Sequence, residues 1–224
     1  MRRVYFLYAC LFVLLSLSSF LSCAVAPAVK VPAEEAPARD LASTGPAERP
    51  GIPPIPERIL GKGLTAPEDM AAFLRSSNPG VEPEFIEDLA LFYIEEAAAE
   101  GVNHDVAFAQ MCLETGFLYF GGLVTRDMNN FCGLGAIGPG QNGERFPSPR
   151  IGVRAQIQHL KAYATDEPLR QELVDPRYRW VRYGSAPTIA GLAGTWAADK
   201  EYAQKLRGIL ERLYQNTFAD KPAG

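Results

Sequence analysis

Positive charge is in short supply along this chain. Its 22 lysines and arginines face 26 aspartates and glutamates, giving a formal net charge of −4 over 224 residues and a pI near 5.3. Such a chain offers no basic stripe to neutralise phosphates, which argues against a nucleic-acid partner. Histidine and cysteine are also sparse, with two and four copies. His104 and His159 belong to no HExxH pattern and no CxxC occurs, so a zinc site is not expected. The glycine-rich run at 136–145 (AIGPGQNGER) lacks the Lys-Ser/Thr that completes a phosphate-binding loop. Neither a metal nor any other cofactor is called for.

What is present is a chain of 47% hydrophobic and 21% charged residues, enough for one domain with a sizeable core plus appendages. Met1-Arg2-Arg3 and the apolar run 4–21 read as a secretion signal spanning 1–22, with a retained anchor as the competing reading. Phe20-Leu21-Ser22-Cys23 is similar to a bacterial lipobox, apart from Phe20 where an aliphatic residue is usual. Cys23 is then the lipidated residue, which implies an exported, membrane-anchored chain facing the periplasm or cell envelope. Residues 24–57 hold 8 of the 18 prolines and no aromatic side chain. They cannot bury enough apolar surface to offset their ordering entropy, so 23–57 is expected to be a disordered tether. The globular part is expected over 58–219, followed by a tail at 220–224.

Inside that part, apolar periodicity predicts a series of helices. Thr65-Ala66-Pro67-Glu68 has the form of a capping box, predicting a helix through Leu74 with Thr65 as cap. Residues 84–100 place Phe85, Leu89, Phe92, Tyr93 and Ala97 on one face, with Glu87, Asp88, Glu95 and Glu96 on a solvated one, ending at Gly101. Ser148-Pro149 opens a helix with Val153, Ile157, Leu160 and Ala164 as its stripe. Residues 200–214 form another, with Tyr202, Leu206 and Leu213 inward. The aromatic and basic run 175–183 (DPRYRWVRY) reads as core packing or a surface facing a partner.

The chemistry centres on residues 110–116 (QMCLETG). Val106, Ala109 and Leu113, with Phe108 and Cys112, recur at helical spacing after Asn103, a plausible N-cap, and Gly116 suits the C-terminal stop. Glu114 thus sits beside unpaired carbonyls at the negative end of a helix, among Leu113, Phe117 and Phe120. Both the dipole and desolvation hold its proton, as a general acid requires. A surface glutamate at a helix end is the plainer alternative.

Several ordered runs shift that balance: AFAQMCLETG, NNFCGLG, FPSPRIGVRAQIQHLKAY and TWAADKEYAQKL. Together, across about residues 61–213, they resemble the bacterial glucosaminidase domain of glycoside hydrolase family 73. The resemblance implies an all-α, lysozyme-like domain, α+β at most, with a small flexible β-lobe or flap over a groove, and peptidoglycan glycan strands as substrate. It implies Glu114 as the acid and a second carboxylate on the flap, a role that falls on Glu144, the sole acidic residue between Asp127 and Asp166. It places Tyr202 beside the reacting centre and sugar contacts at Asn130, Phe131 and Gly133, with Tyr163 near the groove. The family's Tyr-Ala-Thr-Asp-x-x-Tyr-Ala is matched at Asp199, Tyr202 and Ala203. Trp196 and Ala198 stand where the family has tyrosine and threonine, so Trp196 is the substrate-binding residue expected at that position in place of the tyrosine's hydroxyl. Export permits a Cys112–Cys132 disulfide, and two separately buried thiols are equally compatible with the sequence. A lytic transglycosylase of the same fold and a non-catalytic wall-binding lipoprotein are the alternatives.

Overall fold

The computed structural model describes residues 51–138 and 140–219. The expected leader, the lipidation site Cys23, the tether up to residue 50 and the tail at 220–224 lie outside the described residues.

The described part is mostly helical: α1 (Pro67–Ser77), α2 (Pro83–Glu100), α3 (His104–Thr115), α4 (Pro149–Ala164), the short α5 (Ile189–Leu192) and α6 (Tyr202–Phe218). One small antiparallel hairpin, β1 (Ala136–Gly138) and β2 (Gln141–Asn142), interrupts them, with Ala136 paired to Asn142. This is the helical domain with a minor β element that the sequence led us to expect.

Helix α3 is the axis of the packing. Every residue from His104 to Cys112 is buried, and α2, α4 and α6 all pack against it. A helix covered on all sides needs apolar side chains all round, which is why its pattern is fuller than a single stripe. Helix α6 closes one side with Leu206, Leu210 and Leu213, each at 0% exposure. Burial of each such leucine contributes about 1.5–3 kcal/mol. Helices α1 and α5 complete the wall behind α6.

The helix ends follow local chemistry. Asn103 accepts from the N–H groups of Asp105 and Val106 at the start of α3, and Ser148 accepts from Ile151 at the start of α4. Gly101 (φ 78°) and Gly116 (φ 56°) end α2 and α3 in the left-handed conformation. Helix α1, however, is capped at Ala66, one residue later than expected. Asp69 accepts from the Ala66 N–H, while the Thr65 hydroxyl donates to the buried carboxylate of Asp105. A carboxylate without exposure outcompeted the helix end for that hydroxyl.

Two further expectations change. Glu96 is buried rather than solvated, and Arg150 and Arg154 of α4, with Gln171, donate to it. One turn on, Glu100 accepts from Lys161 at 2.8 Å and from the N–H groups of Arg170 and Gln171. The acidic stripe of α2 is therefore partly an ionic seam with α4. The second change concerns the start of the domain: Ile52 and Ile55 pack against the core, and Arg207 donates to both carboxylate oxygens of Glu57. Part of the stretch assigned to the tether thus belongs to the folded body.

Candidate active site

The geometry around Glu114 begins with an unusual turn. After Gly116, Phe117 (φ 57°), Leu118 (φ 64°) and Phe120 (φ 57°) also adopt the left-handed backbone, which costs non-glycine residues on the order of 1–3 kcal/mol each. Packing and hydrogen bonds hold them there. Phe117 meets Phe73 edge-on at 5.9 Å, Phe120 lies 6.5 Å from Phe131, and the Thr115 hydroxyl accepts from the Leu118 N–H. The turn bends the chain sharply away from the end of α3 and leaves Glu114 on the wall of a cavity of about 510 Å³.

Two donors meet on one oxygen of Glu114. The Tyr202 hydroxyl donates to Oε1 at 2.6 Å, and the Trp196 indole N–H donates to the same atom at 2.9 Å. Among the described residues, none donates a hydrogen bond to Oε2. Solvent reaches the carboxylate through the cavity, yet protein crowds its other sides. Desolvation therefore raises the Glu114 pKa above the ordinary carboxylate value, outweighing the two donors that favour the ionised form. Burial and the neighbouring Glu114 charge push the Tyr202 hydroxyl far up, so it stays protonated and remains a donor.

Trp196 is held by what stands behind it. Its ring meets His159 at 5.2 Å and Tyr163 at 5.8 Å, and His159 Nδ1 is 2.6 Å from the buried carboxylate of Asp175. Tyr163 donates to the Thr195 carbonyl. Tyr163, expected near the groove, is a prop for Trp196 and is absent from the cavity lining. Where the family has a tyrosine hydroxyl, this chain supplies an indole N–H.

The loop after the turn is also more structural than expected. Phe131 is at 0% exposure in the main core, so its ring is not presented to a ligand. Asn130 borders the cavity, but its amide donates to the carbonyls of Leu134 and Glu144 and accepts from the Leu134 N–H. It ties the loop together. Gly133 lines the cavity with an open backbone (φ 69°). Glu144 does not line it: its side chain lies against Gly135, about 3.0 Å from where a Cβ on that glycine would stand. The carboxylate that does reach the cavity besides Glu114 is Asp199, paired with Lys205 at 2.6 Å, which holds it ionised.

Cys112 and Cys132 are separate buried thiols, so the disulfide allowed by the sequence is not formed. Burial pushes both pKa values up and suppresses the thiolate that oxidation requires. No group of three His, Cys, Asp or Glu side chains among the described residues is placed to hold a metal ion.

Sequence reasoning missed Gln110, Gln156, Asp175 and Lys205. Gln110 carried a readable signal: it is a polar residue in an otherwise apolar helix, one turn before Glu114 and on the same face. Its amide donates to the Tyr202 hydroxyl at 3.0 Å.

A carboxyl with a raised pKa on a cavity wall, held by two donors on one oxygen and with no partner among the described residues on the other, has what acid catalysis of glycosidic-bond cleavage needs. The chain belongs to the glucosaminidase family, whose model, described as mannosyl-glycoprotein endo-beta-N-acetylglucosaminidase, matches residues 90–215. Membership makes it a glycoside hydrolase of the peptidoglycan-degrading class. An uncharacterized protein of Borreliella burgdorferi is 42% identical over 163 residues, covering 73% of this chain and 80% of the relative. No solved structure matches the chain.

Proposed function

We propose that the protein hydrolyses the β-1,4 bond after N-acetylglucosamine in peptidoglycan glycan strands, with Glu114 as general acid, and that it remodels the wall in this way. The observation that carries this reading is the Glu114 carboxyl on the cavity wall: Tyr202 and Trp196 fix it through Oε1, and Oε2 has no hydrogen-bond partner among the described residues. Oε2 gives its proton to the glycosidic oxygen, the C1–O bond breaks, and its electron pair leaves with the departing sugar. Positive charge then develops at C1. Glu144 lies off the cavity lining, which favours the substrate's own 2-acetamido oxygen as the group that attacks C1. Water next opens that intermediate at C1 and returns a proton to Glu114, so one water is consumed and the acid is regenerated.

Delivery to the wall fits an exported lipoprotein anchored through Cys23 and facing the periplasm or cell envelope. Trp180, at 69% exposure, and Tyr183, at 44%, offer an aromatic surface suited to sugar rings. The test is mass spectrometry of products from isolated peptidoglycan incubated with the wild type and with Glu114→Gln. Fragments ending in reducing N-acetylglucosamine, lost in the variant by a factor of roughly 10² or more, are expected. Anhydro-sugar ends would make it a lytic transglycosylase. Sacculus binding with no soluble fragments from either protein would make it a wall-binding lipoprotein.

A further inference from the structure

Behind Tyr202 runs a line of buried polar groups that the chemistry above does not use. The Tyr93 hydroxyl donates to Gln156 Oε1 at 2.6 Å; Gln156 Nε2 donates to Gln110 Oε1 at 2.9 Å and to the Ala107 carbonyl at 3.0 Å; Gln110 Nε2 donates to the Tyr202 hydroxyl at 3.0 Å. Tyr93, Gln156 and Gln110 are all at 0% exposure, so bulk solvent does not stand in for a missing partner.

The direction of this line is fixed by one atom. A backbone carbonyl is an acceptor and never a donor. The Gln156 atom beside Ala107 must therefore be its NH₂, and the opposite atom is its oxygen, facing the Tyr93 hydroxyl. The same NH₂ faces Gln110, whose near atom must then be oxygen, which turns the Gln110 NH₂ toward Tyr202. Tyr202 consequently receives a hydrogen bond and has a single direction left for its own proton, Glu114 Oε1. Trp196 Nε1 can likewise do nothing but donate to that oxygen. With two donors already on Oε1, the proton of the acid form belongs on Oε2, the oxygen with no partner among the described residues.

We propose that Gln156 and Gln110 are positioning residues, a relay anchored on the Ala107 carbonyl that commits the Tyr202 hydroxyl to Glu114 Oε1 and assigns the transferable proton to Oε2. This deepens the glucosaminidase reading and rests on it for the destination of the proton. Without the anchor, the Gln110 amide is free to flip, present its oxygen to Tyr202 and draw that hydroxyl away from Glu114. Loss of the donor removes support for the ionised carboxylate, so Glu114 titrates at higher pH. The other ionisable groups on the cavity are Lys205 of α6, Asp199 just before it and Cys132 of the loop, and the test variants leave them in place.

The experiment is ¹³C NMR titration of carboxyl-labelled glutamate in the full chain, with the Glu114 signal assigned by its loss in Glu114→Gln. Gln156→Met, a neutral change two side chains removed from Glu114, is expected to move the Glu114 midpoint upward. In a Tyr202→Phe background the same change is expected to move it no further. On peptidoglycan, the variant's alkaline limb shifts the same way and kcat falls several-fold with KM retained. An unmoved midpoint in a natively folded Gln156→Met overturns the relay, as does an equal shift with and without the Tyr202 hydroxyl. If Gln156→Met does not fold, Gln110→Met breaks the line one link nearer and is judged by the same pair of backgrounds. The titration needs no substrate, so an inactive wild type sinks the glucosaminidase reading alone, and an active protein with unmoved midpoints sinks the relay alone.

Discussion

At the scale of single residues, Glu114 works against the fold that holds it. Its folded pKa is raised, so the protonated form is favoured in the native state. The stability it contributes is fully present below the unfolded carboxylate pKa and is lost as pH rises through the folded value. Glu114→Gln keeps the neutral shape at every pH. We expect the variant to melt at higher temperature than wild type at pH 7, with the difference closing as pH falls toward 4; calorimetry at the two pH values checks this. Trp196 offers a second test. Its N–H stabilises the ionised carboxylate, so Trp196→Phe, which keeps the ring against His159 and Tyr163, should raise the alkaline limb of the activity profile. Loss of one hydrogen bond to a charged group should also lower turnover about tenfold. A profile identical to wild type would show that the indole is packing and nothing more.

At the scale of elements, close approach and ionic pairing decide more than helix propensity does. Gly152 lies in the first turn of α4, and a Cβ there would stand 1.7 Å from the Asn129 carbonyl oxygen. That carbonyl is backbone in a loop pinned by the Asn129 amide on Phe146, so it cannot yield cheaply. Gly152→Ala is expected to cost about 1–3 kcal/mol in urea unfolding by overpacking, and to disturb the loop that carries Gly133. The α2–α4 seam gives another prediction. Burial acts to raise the Glu100 pKa, but Lys161 and the N–H groups of Arg170 and Gln171 outweigh it, and the net shift is downward. Its stability contribution is therefore present at neutral pH and lost as pH falls through the folded value. Lys161→Met leaves a buried carboxylate without its cation and should cost roughly 3–5 kcal/mol at pH 7, less in acid, where Glu100 can take a proton. Denaturant melts across pH measure both. Elements were also where the sequence was most legible. Asn103, Gly101, Gly116 and Ser148 announce helix ends through chemistry confined to a few neighbours. Glu96 and the turn at Phe117–Phe120 were not legible, because their partners, Arg154 and the aromatic ring of Phe73, lie far along the chain. The same reason hid the site's props: Glu114 and Tyr202 stood in recognisable motifs, while Asn130 and Phe131 looked exposed until the loop closed over them.

At the scale of the whole molecule, one buried carboxylate joins three regions distant in sequence. Asp105, at 0% exposure in the first turn of α3, accepts from the Leu64 N–H and the Tyr214 hydroxyl on Oδ2, and from the Thr65 N–H and hydroxyl on Oδ1. The segment leading into α1, the central helix and the last helix thus share a single acceptor. Asp105→Asn is nearly isosteric, yet its NH₂ must face one of these two pairs of donors. The hydroxyls of Thr65 and Tyr214 can rotate away, but a backbone N–H cannot, so either Leu64 or Thr65 is left with a buried donor opposite another donor. An unsatisfied group of this kind beside lost charge-assisted bonds costs about 3 kcal/mol, a fall in Tm of roughly 10 °C for a domain of this size. None of the four donors lines the cavity that holds Glu114. The variant should therefore unfold in one earlier transition while its activity per folded molecule and its pH profile match wild type. A Tm within a degree or two of wild type would mean that the three regions are held by apolar packing alone. A shifted profile would mean that Asp105 reaches the active site through α3.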